Sequence, residues 1–438
     1  MATVEKRYEG KPLDCWDKAK ELRLEHYRDI ITAKENGKIL IGGCASSCLA
    51  LPAGLGDYVY FGGEPYGATV SLDTPFSIEC MEAAEARGIS RDMCAYMRNY
   101  MGSMFLDRFQ FGGEGFPKPD FFFTRNFCTA GHAKWYQLVS DYEGIPVYAY
   151  DEPVGPIASE KVENQIDYIS EQLYDGIEWM EKITRVTYDD EKLIRALKNF
   201  FRTEVLWGEI CLLNATVPAP IDLKAMLALM PVSMLRRHEE CAVDFMKLLR
   251  DEVKERIASG IAAVPTERYR LVTDVSPPWH FLKMLRYVEG YGAVFVGAMD
   301  YTINSGEVEF SDEGTPIAAK TPDELGWPLR TREDAVRAVA RWTVEGSLHQ
   351  LVTSREKGDL MLLGLARHWQ ANAVVLHINR GCLPMAVGLP GTGRYLQRAG
   401  YPVMMYEANF GDCRDTDGTQ VLDCFDSFLE SQKVTRML

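Results

Sequence analysis

No apolar run in this sequence approaches membrane-spanning length, so a helical span is not expected. Positive charge is in deficit: 48 Lys and Arg stand against 63 Asp and Glu, a net charge of −15. That balance argues against a nucleic-acid partner or an anionic membrane surface, while leaving room for a local basic pocket that takes phosphates. The opening MATVEKRYEGKPLD lacks the apolar core of a secretory signal, and the expectation is a cytoplasmic chain. Histidine is scarce, at seven residues. A CxxC pair and a tight Cys/His zinc spacing are both missing, so any metal ligands must meet from distant parts of the chain. No GxGxxG follows a strand, which argues against a nicotinamide cofactor. The run Gly388 to Arg394 has the glycine spacing of a phosphate loop, but Arg394 and Tyr395 replace the Lys and Ser/Thr that bind phosphate and magnesium. Nucleotide hydrolysis on this chain is excluded on that ground, although the run's backbone could shape a pocket.

What is present is a globular composition, 47% hydrophobic and 11% aromatic over 438 residues, enough for two or three domains. Eleven cysteines with irregular spacing do not read as a disulfide framework. Some are expected to be small buried hydrophobes: Cys15, Cys80, Cys211, Cys241 and Cys424.

The organising stretch is AVVLHINRGC, Ala373 to Cys382. Its apolar, β-branched start suits a buried parallel strand, and polar residues, a glycine and a cysteine follow at the strand's carboxyl end. Ligands sit at that edge in open α/β sheets. DFFFTRNFC, Asp120 to Cys128, repeats the arrangement. Each then runs through a helical stretch into a second strand, GIPVYAYDEP or GYPVMMYEAN. The expected fold is α/β, with two flavodoxin-like parallel-sheet domains related as an internal repeat, plus a helical layer. The expected boundaries are 1–37 for an N-terminal helical segment, 38–156 for the first α/β domain, 157–265 for the helical layer and 266–438 for the second α/β domain.

Within this frame KILIGG and Val59 to Phe61 read as strands, with Glu64 just past the second. Leu72 to Arg87 reads as one helix. Ser90 is the expected N-cap of the next, which puts Cys94 near its first turn. Four helices are expected over 158–183, 190–213, 221–229 and 236–258. Pro277-Pro278-Trp279 should open a helix, 302–332 reads as a loop or lid, and 418–433 as a terminal helix.

Cys94, Cys128 and Cys382 each lie near a helix start, where exposed N–H groups should lower a thiol pKa. Three thiolates converging between two domains suit an iron–sulfur cluster, and an iron left without a fourth protein ligand would be open to substrate. Buried, unligated cysteine is the commoner fate and stays open for each. Cys413 is the rival fourth position, disfavoured by Asp412 and Asp415; Cys44 and Cys48 could face the same cleft. His132, four residues after Cys128, should share its helix face as ligand or proton donor, or simply be solvated. Glu64 and His280 carry the same ambiguity.

The segments LIGGCASSCLALPAGLGDYVYFGGEPYGATVS, MCAYMRNYMGS, FFFTRNFC and VVLHINRGC resemble the family of 2-hydroxyacyl-CoA dehydratase and benzoyl-CoA reductase subunits, over nearly the whole chain. Within it, the FGGEPYGATVS segment leans toward the B-type subunit of ATP-dependent benzoyl-CoA reductases. The resemblance implies one [4Fe-4S] cluster held by Cys94, Cys128 and Cys382. It also implies a homologous C-type partner, an ATP-hydrolysing, electron-activating pair of A and D types, and reduced ferredoxin as electron source. The implied reaction is reduction of benzoyl-CoA to a cyclic dienoyl-CoA in an anaerobic setting. The alternatives are a 2-hydroxyacyl-CoA dehydratase subunit, a double-cubane-cluster reductase subunit, or a non-catalytic scaffold holding structural zinc.

Overall fold

The computed structural model describes residues 7–44, 47–128, 132–153, 161–275 and 277–437. The chain is an α/β protein built on two four-stranded parallel sheets. The first holds β1 (Ile39–Gly43), β2 (Tyr58–Gly62), β3 (Phe121–Asn126) and β4 (Val147–Asp151) in the spatial order β2-β1-β3-β4. In the second are β5 (Tyr269–Thr273), β6 (Ala293–Ala298), β7 (Ala373–Asn379) and β8 (Val403–Ala408), in the order β6-β5-β7-β8. Each sheet therefore has its first strand between its second and third, and all strands run the same way.

Buried parallel strands need apolar residues on both faces. Phe121 and Phe123 pack on one side of the first sheet with Ile41, while Phe122 turns to the other with Leu40, Val59 and Phe61. Against the first face lies the helix Val162–Thr184, whose Ile166, Ile169, Leu173, Ile177 and Met180 recur at helical spacing and are all buried. Burial of each is worth about 1.5–3 kcal/mol. Helix Asp190–Leu212 follows, started by Asp189, whose carboxylate accepts the backbone N–H of Glu191 and Lys192. The Thr331–Asp334 capping box starts helix Arg332–Glu345. That helix packs against Val162–Thr184 and shares the first sheet's core.

Local expectations differ from the structure at several points. A helix the sequence did not announce, Gly63–Leu72, follows β2 and carries Glu64 in its first turn; Thr74–Glu85 is separate, capped by Asp73. Ser90 caps no helix: the next one spans Ala95–Phe105, and Cys94 itself is the N-cap. Helix His132–Glu143 carries His132 at its described start; the expectation that Cys128 shares its face turns on residues 129–131, which lie outside the described ones. The helical region resolves into Val162–Thr184, Asp190–Leu212, Leu223–Leu229, Pro231–Arg236 and Glu240–Ser259. After Pro278 comes a 3₁₀ turn, Trp279–Phe281, before helix Lys283–Tyr287. The stretch read as a loop or lid contains an antiparallel hairpin, Val308–Phe310 with Pro316–Ala318.

Candidate metal centre

Four acidic and basic side chains pin the start of helix Ala95–Phe105 to the loop after β8. Arg98 donates to Asp412 at 2.8 Å and to Glu85 at 3.1 Å, and Arg414 reaches both of those carboxylates. Tyr96 stacks on Phe410 with ring centres 5.7 Å apart and accepts the Trp279 indole N–H at 2.6 Å. These contacts hold Cys94 against the carboxyl edge of the second sheet. Cys128 lies two residues past β3, and Cys382 three past β7. Gly381, at φ +76°, lets the Cys382 turn close on the chain before Cys94: an added Cβ would sit 3.1 Å from the Met93 carbonyl oxygen.

Cys128 lies near enough to act on both other thiols, and Cys94 on Cys382. Burial, then the charges of Cys128 and Cys94, hold Cys382 well above the ordinary thiol pKa; the Met385 N–H pulls the other way. Cys94 is likewise raised, by burial first and also by Cys128, while the Met97 and Tyr96 N–H groups and His132 oppose. The helix-start N–H groups expected from the sequence are in place, but for Cys94 and Cys382 burial and neighbouring sulfur outweigh them. Thiols that repel each other when ionised are stabilised by a cation with an affinity for sulfur, and the donor set fits a thiolate-held iron–sulfur cluster.

Beside this group is a second constellation. Ligand atoms of Cys44, Glu64 and His132 lie within 4.8 Å of one another. Cys44 is fully buried just past β1, and its sulfur accepts the Thr124 hydroxyl at 3.3 Å. His132 pairs through Nε2 with Glu64. Although burial works against its charge, Glu64 and Cys44 hold the imidazole pKa well above the usual value. The sequence named these three residues singly; their meeting depends on the β1–β2–β3 neighbourhood. The side chain of Cys48 lies outside the described residues.

Other sequence candidates fall elsewhere. Cys15, Cys80 and Cys211 are buried, Cys241 and Cys424 partly so, and none of the ten described cysteines is in a disulfide. Burial and Asp412 raise the Cys413 thiol, as the acidic surroundings led one to expect. His280 is kept neutral, its pKa pushed down to about 4 by burial. Gly388 (φ +88°) precedes helix Leu389–Arg398.

A family model described as "2-hydroxyglutaryl-CoA dehydratase, D-component" matches residues 59–431, a span that includes Cys94, Cys128 and Cys382. The chain belongs to this family. The (R)-phenyllactyl-CoA dehydratase alpha subunit of Clostridium sporogenes is 25% identical over 415 residues, covering 92% of this chain and 93% of that protein. The alpha subunit of (R)-2-hydroxyglutaryl-CoA dehydratase from Acidaminococcus fermentans is 23% identical over 69% of this chain and 58% of its own length. The B-type subunit of benzoyl-CoA reductase from Thauera aromatica is 28% identical, over 50% of this chain and 52% of its own. The relatives of this family member are thus subunits of enzymes acting on CoA thioesters. Among its described residues no helix is long and apolar enough to cross a membrane.

Proposed function

We propose that the chain is the iron–sulfur subunit of an enzyme that runs one-electron chemistry on an acyl-CoA thioester, with Cys94, Cys128 and Cys382 holding one [4Fe-4S] cluster. The observation that carries this is the convergence of three partly buried thiols from three distant segments, Cys128 lying near enough to act on both Cys94 and Cys382. When bound, such a cluster supplies a low-potential electron and, with three protein sulfurs, an iron open to substrate. The chain itself orients the sulfurs through the Arg98–Asp412 and Arg414–Glu85 pairs and sets the His132–Glu64 pair beside them. The two sheets, alike in strand order, are read as flavodoxin-like domains related by duplication.

The preferred reaction is dehydration of an (R)-2-hydroxyacyl-CoA. Adding one electron to a thioester carbonyl makes the α-carbon electron-rich, so hydroxide can leave from it; a proton is then lost from the β-carbon, and the electron is recovered as the unsaturated thioester forms. A likeness to a dehydratase subunit over 92% of the chain supports this reading. Reduction of benzoyl-CoA is the second reading, supported by 28% identity over half the chain to a reductase subunit. Either requires a homologous partner subunit and a separate ATP-hydrolysing electron donor fed by a reduced ferredoxin, since this chain lacks a phosphate loop.

The test is anaerobic co-purification with the partner subunits, followed by iron, sulfide and paramagnetic-resonance inventories. Turnover of 2-hydroxyacyl-CoA with catalytic amounts of electrons and ATP supports dehydration; stoichiometric consumption with benzoyl-CoA supports the reductase reading. A colourless, zinc-containing complex would defeat both.

A further inference from the structure

Two acids at the carboxyl edge of the second sheet are buried with no base paired to them among the described residues. Asp274 directly follows β5 and is 3% exposed; Asp300, the second residue of helix Met299–Asn304 after β6, is 6% exposed. The Asp300 backbone N–H donates to the Asp274 carbonyl at 2.8 Å and ties the two strand ends together. One Asp274 carboxylate oxygen accepts the His377 N–H at 3.1 Å and the Thr273 hydroxyl at 3.3 Å. Its other oxygen is buried with no partner among the described residues.

Two carboxylates in one buried place cannot both be ionised without a cation, and a shared proton is the usual outcome. Burial raises Asp274 to about 6. Burial, and then the Asp274 charge, raise Asp300 to about 7. Among the described residues the other titratable groups on this edge include Cys382 past β7, which feels Asp300, Tyr406 on β8, which feels Asp274, and His377 on β7, whose ring stacks on Tyr406 with centres 4.8 Å apart. Of the helices packed on Met299–Asn304, Asp190–Leu212 and Ser347–Thr353 present Glu204 and His349 at its far end, beside Ile303 and Asn304. From Arg355–His368 no titratable group acts on Asp300 among the described residues.

The first sheet gives a direct contrast. Cys44 follows β1 as Asp274 follows β5, and Glu64 is the second residue of its helix as Asp300 is of its own. There His132 supplies a positive charge; among the described residues no Lys, Arg or His charge acts on Asp274 or Asp300.

We propose that Asp274 and Asp300 form a proton store for the metal centre. The pair shares one proton at rest. It takes a second from solvent when one electron from a low-potential donor adds negative charge beside Cys382, and returns it to solvent when that electron leaves. The coupling to electron transfer rests on the cluster reading above; the shared proton does not.

The experiment uses the complex purified anaerobically, as wild type and as Asp300→Asn, Asp274→Asn and Asp300→Glu. Infrared difference spectra against each Asn variant should show a carboxylic-acid carbonyl band at neutral pH that Asp300→Glu retains, shifted. The centre's midpoint potential, followed by paramagnetic resonance around pH 7, should fall with pH in the wild type. A tenfold proton factor per pH unit corresponds to about 59 mV for one electron. Asp300→Asn should flatten that slope at unchanged iron content. An unaltered carbonyl band in both Asn variants, or an unaltered slope in Asp300→Asn, overturns the proposal. A wild-type complex without iron would sink the cluster reading and the redox coupling with it, while the infrared arm would still decide whether the acids share a proton.

Discussion

Arg98 and Asp412 meet at 2.8 Å with both side chains wholly buried, joining the helix behind Cys94 to the loop behind β8. Removing Asp412 leaves Glu85 as the one carboxylate shared by Arg98 and Arg414, so the loss approaches the cost of about 3–5 kcal/mol for breaking a buried pair. Asp412→Asn should therefore lower the unfolding free energy from urea titration by that amount. The wild-type protein should also lose stability in acid. Burial alone would raise the Asp412 pKa, but hydrogen bonds from Arg414 and Arg98 hold it well below the unfolded value of 3.8. A carboxylate depressed in the folded state contributes stability that is full above 3.8 and is lost as pH falls below it. Asp412→Asn should remove that part of the acid sensitivity, read from unfolding midpoints on either side of pH 3.8.

Gly381 offers a way to disturb the metal centre with little effect on the fold. Its φ of +76° and the Met93 carbonyl 3.1 Å from an added Cβ both resist a side chain. The left-handed backbone alone costs about 1–2 kcal/mol in any other residue. Gly381→Ala should keep its far-UV circular dichroism, lose about that much stability, and lose iron because Cys382 is pushed away from Cys94. Full iron content in a destabilised Gly381→Ala would show that the turn does not set the sulfur geometry.

Cysteine substitutions separate ligands from core residues. Cys94→Ser, Cys128→Ser and Cys382→Ser should each lower bound iron sharply and abolish turnover in the purified complex. Cys211→Ser should keep both, because Cys211 is packed inside helix Asp190–Leu212, where burial pushes its thiol up to about 12. Cys424→Ser, on the half-buried side of the terminal helix, is the milder control. Iron retained in the first three variants would refute the ligand assignment.

How far these features could be read from sequence depends on how local their cause is. The strands around AVVLHI and FFFT were legible because a strand covered on both faces must be apolar throughout. Cys128 and Cys382 were legible because they follow such strands directly. Helix Gly63–Leu72 was not: two glycines, a proline and β-branched residues give it poor helix propensity. Gly67 is there for packing, since an added Cβ would lie 2.6 Å from the Tyr96 carbonyl oxygen. Tertiary contact decides the conformation, and a single sequence does not display it. Asp274 and Asp300 were passed over for the same kind of reason. Acids after strands resemble solvated loop carboxylates until the neighbouring strands bury them.

The two histidines on the far side of the first sheet supply the last prediction. His26 and His238 both line a cavity of about 420 Å³ near the amino ends of β1 and β2, and the His238 ring stacks on Tyr58 with centres 5.0 Å apart. Burial lowers His26 to about 3 and His238 to about 4, with Arg236 adding to the effect and Glu239 opposing it. The folded protein thus resists protons that the unfolded chain accepts below 6.5. Stability is full above 6.5 and falls as pH drops toward the folded values, by up to about 1.4 kcal/mol per pH unit for each histidine. Urea midpoints at about pH 7 and about pH 5 should show this loss, and His238→Gln should reduce the difference by close to half of the two histidines' joint share. The absolute stability of His238→Gln will change as well, because it loses the Tyr58 stack. The readout is therefore the slope with pH, and an unchanged slope would mean that His238 is already protonated in the folded protein.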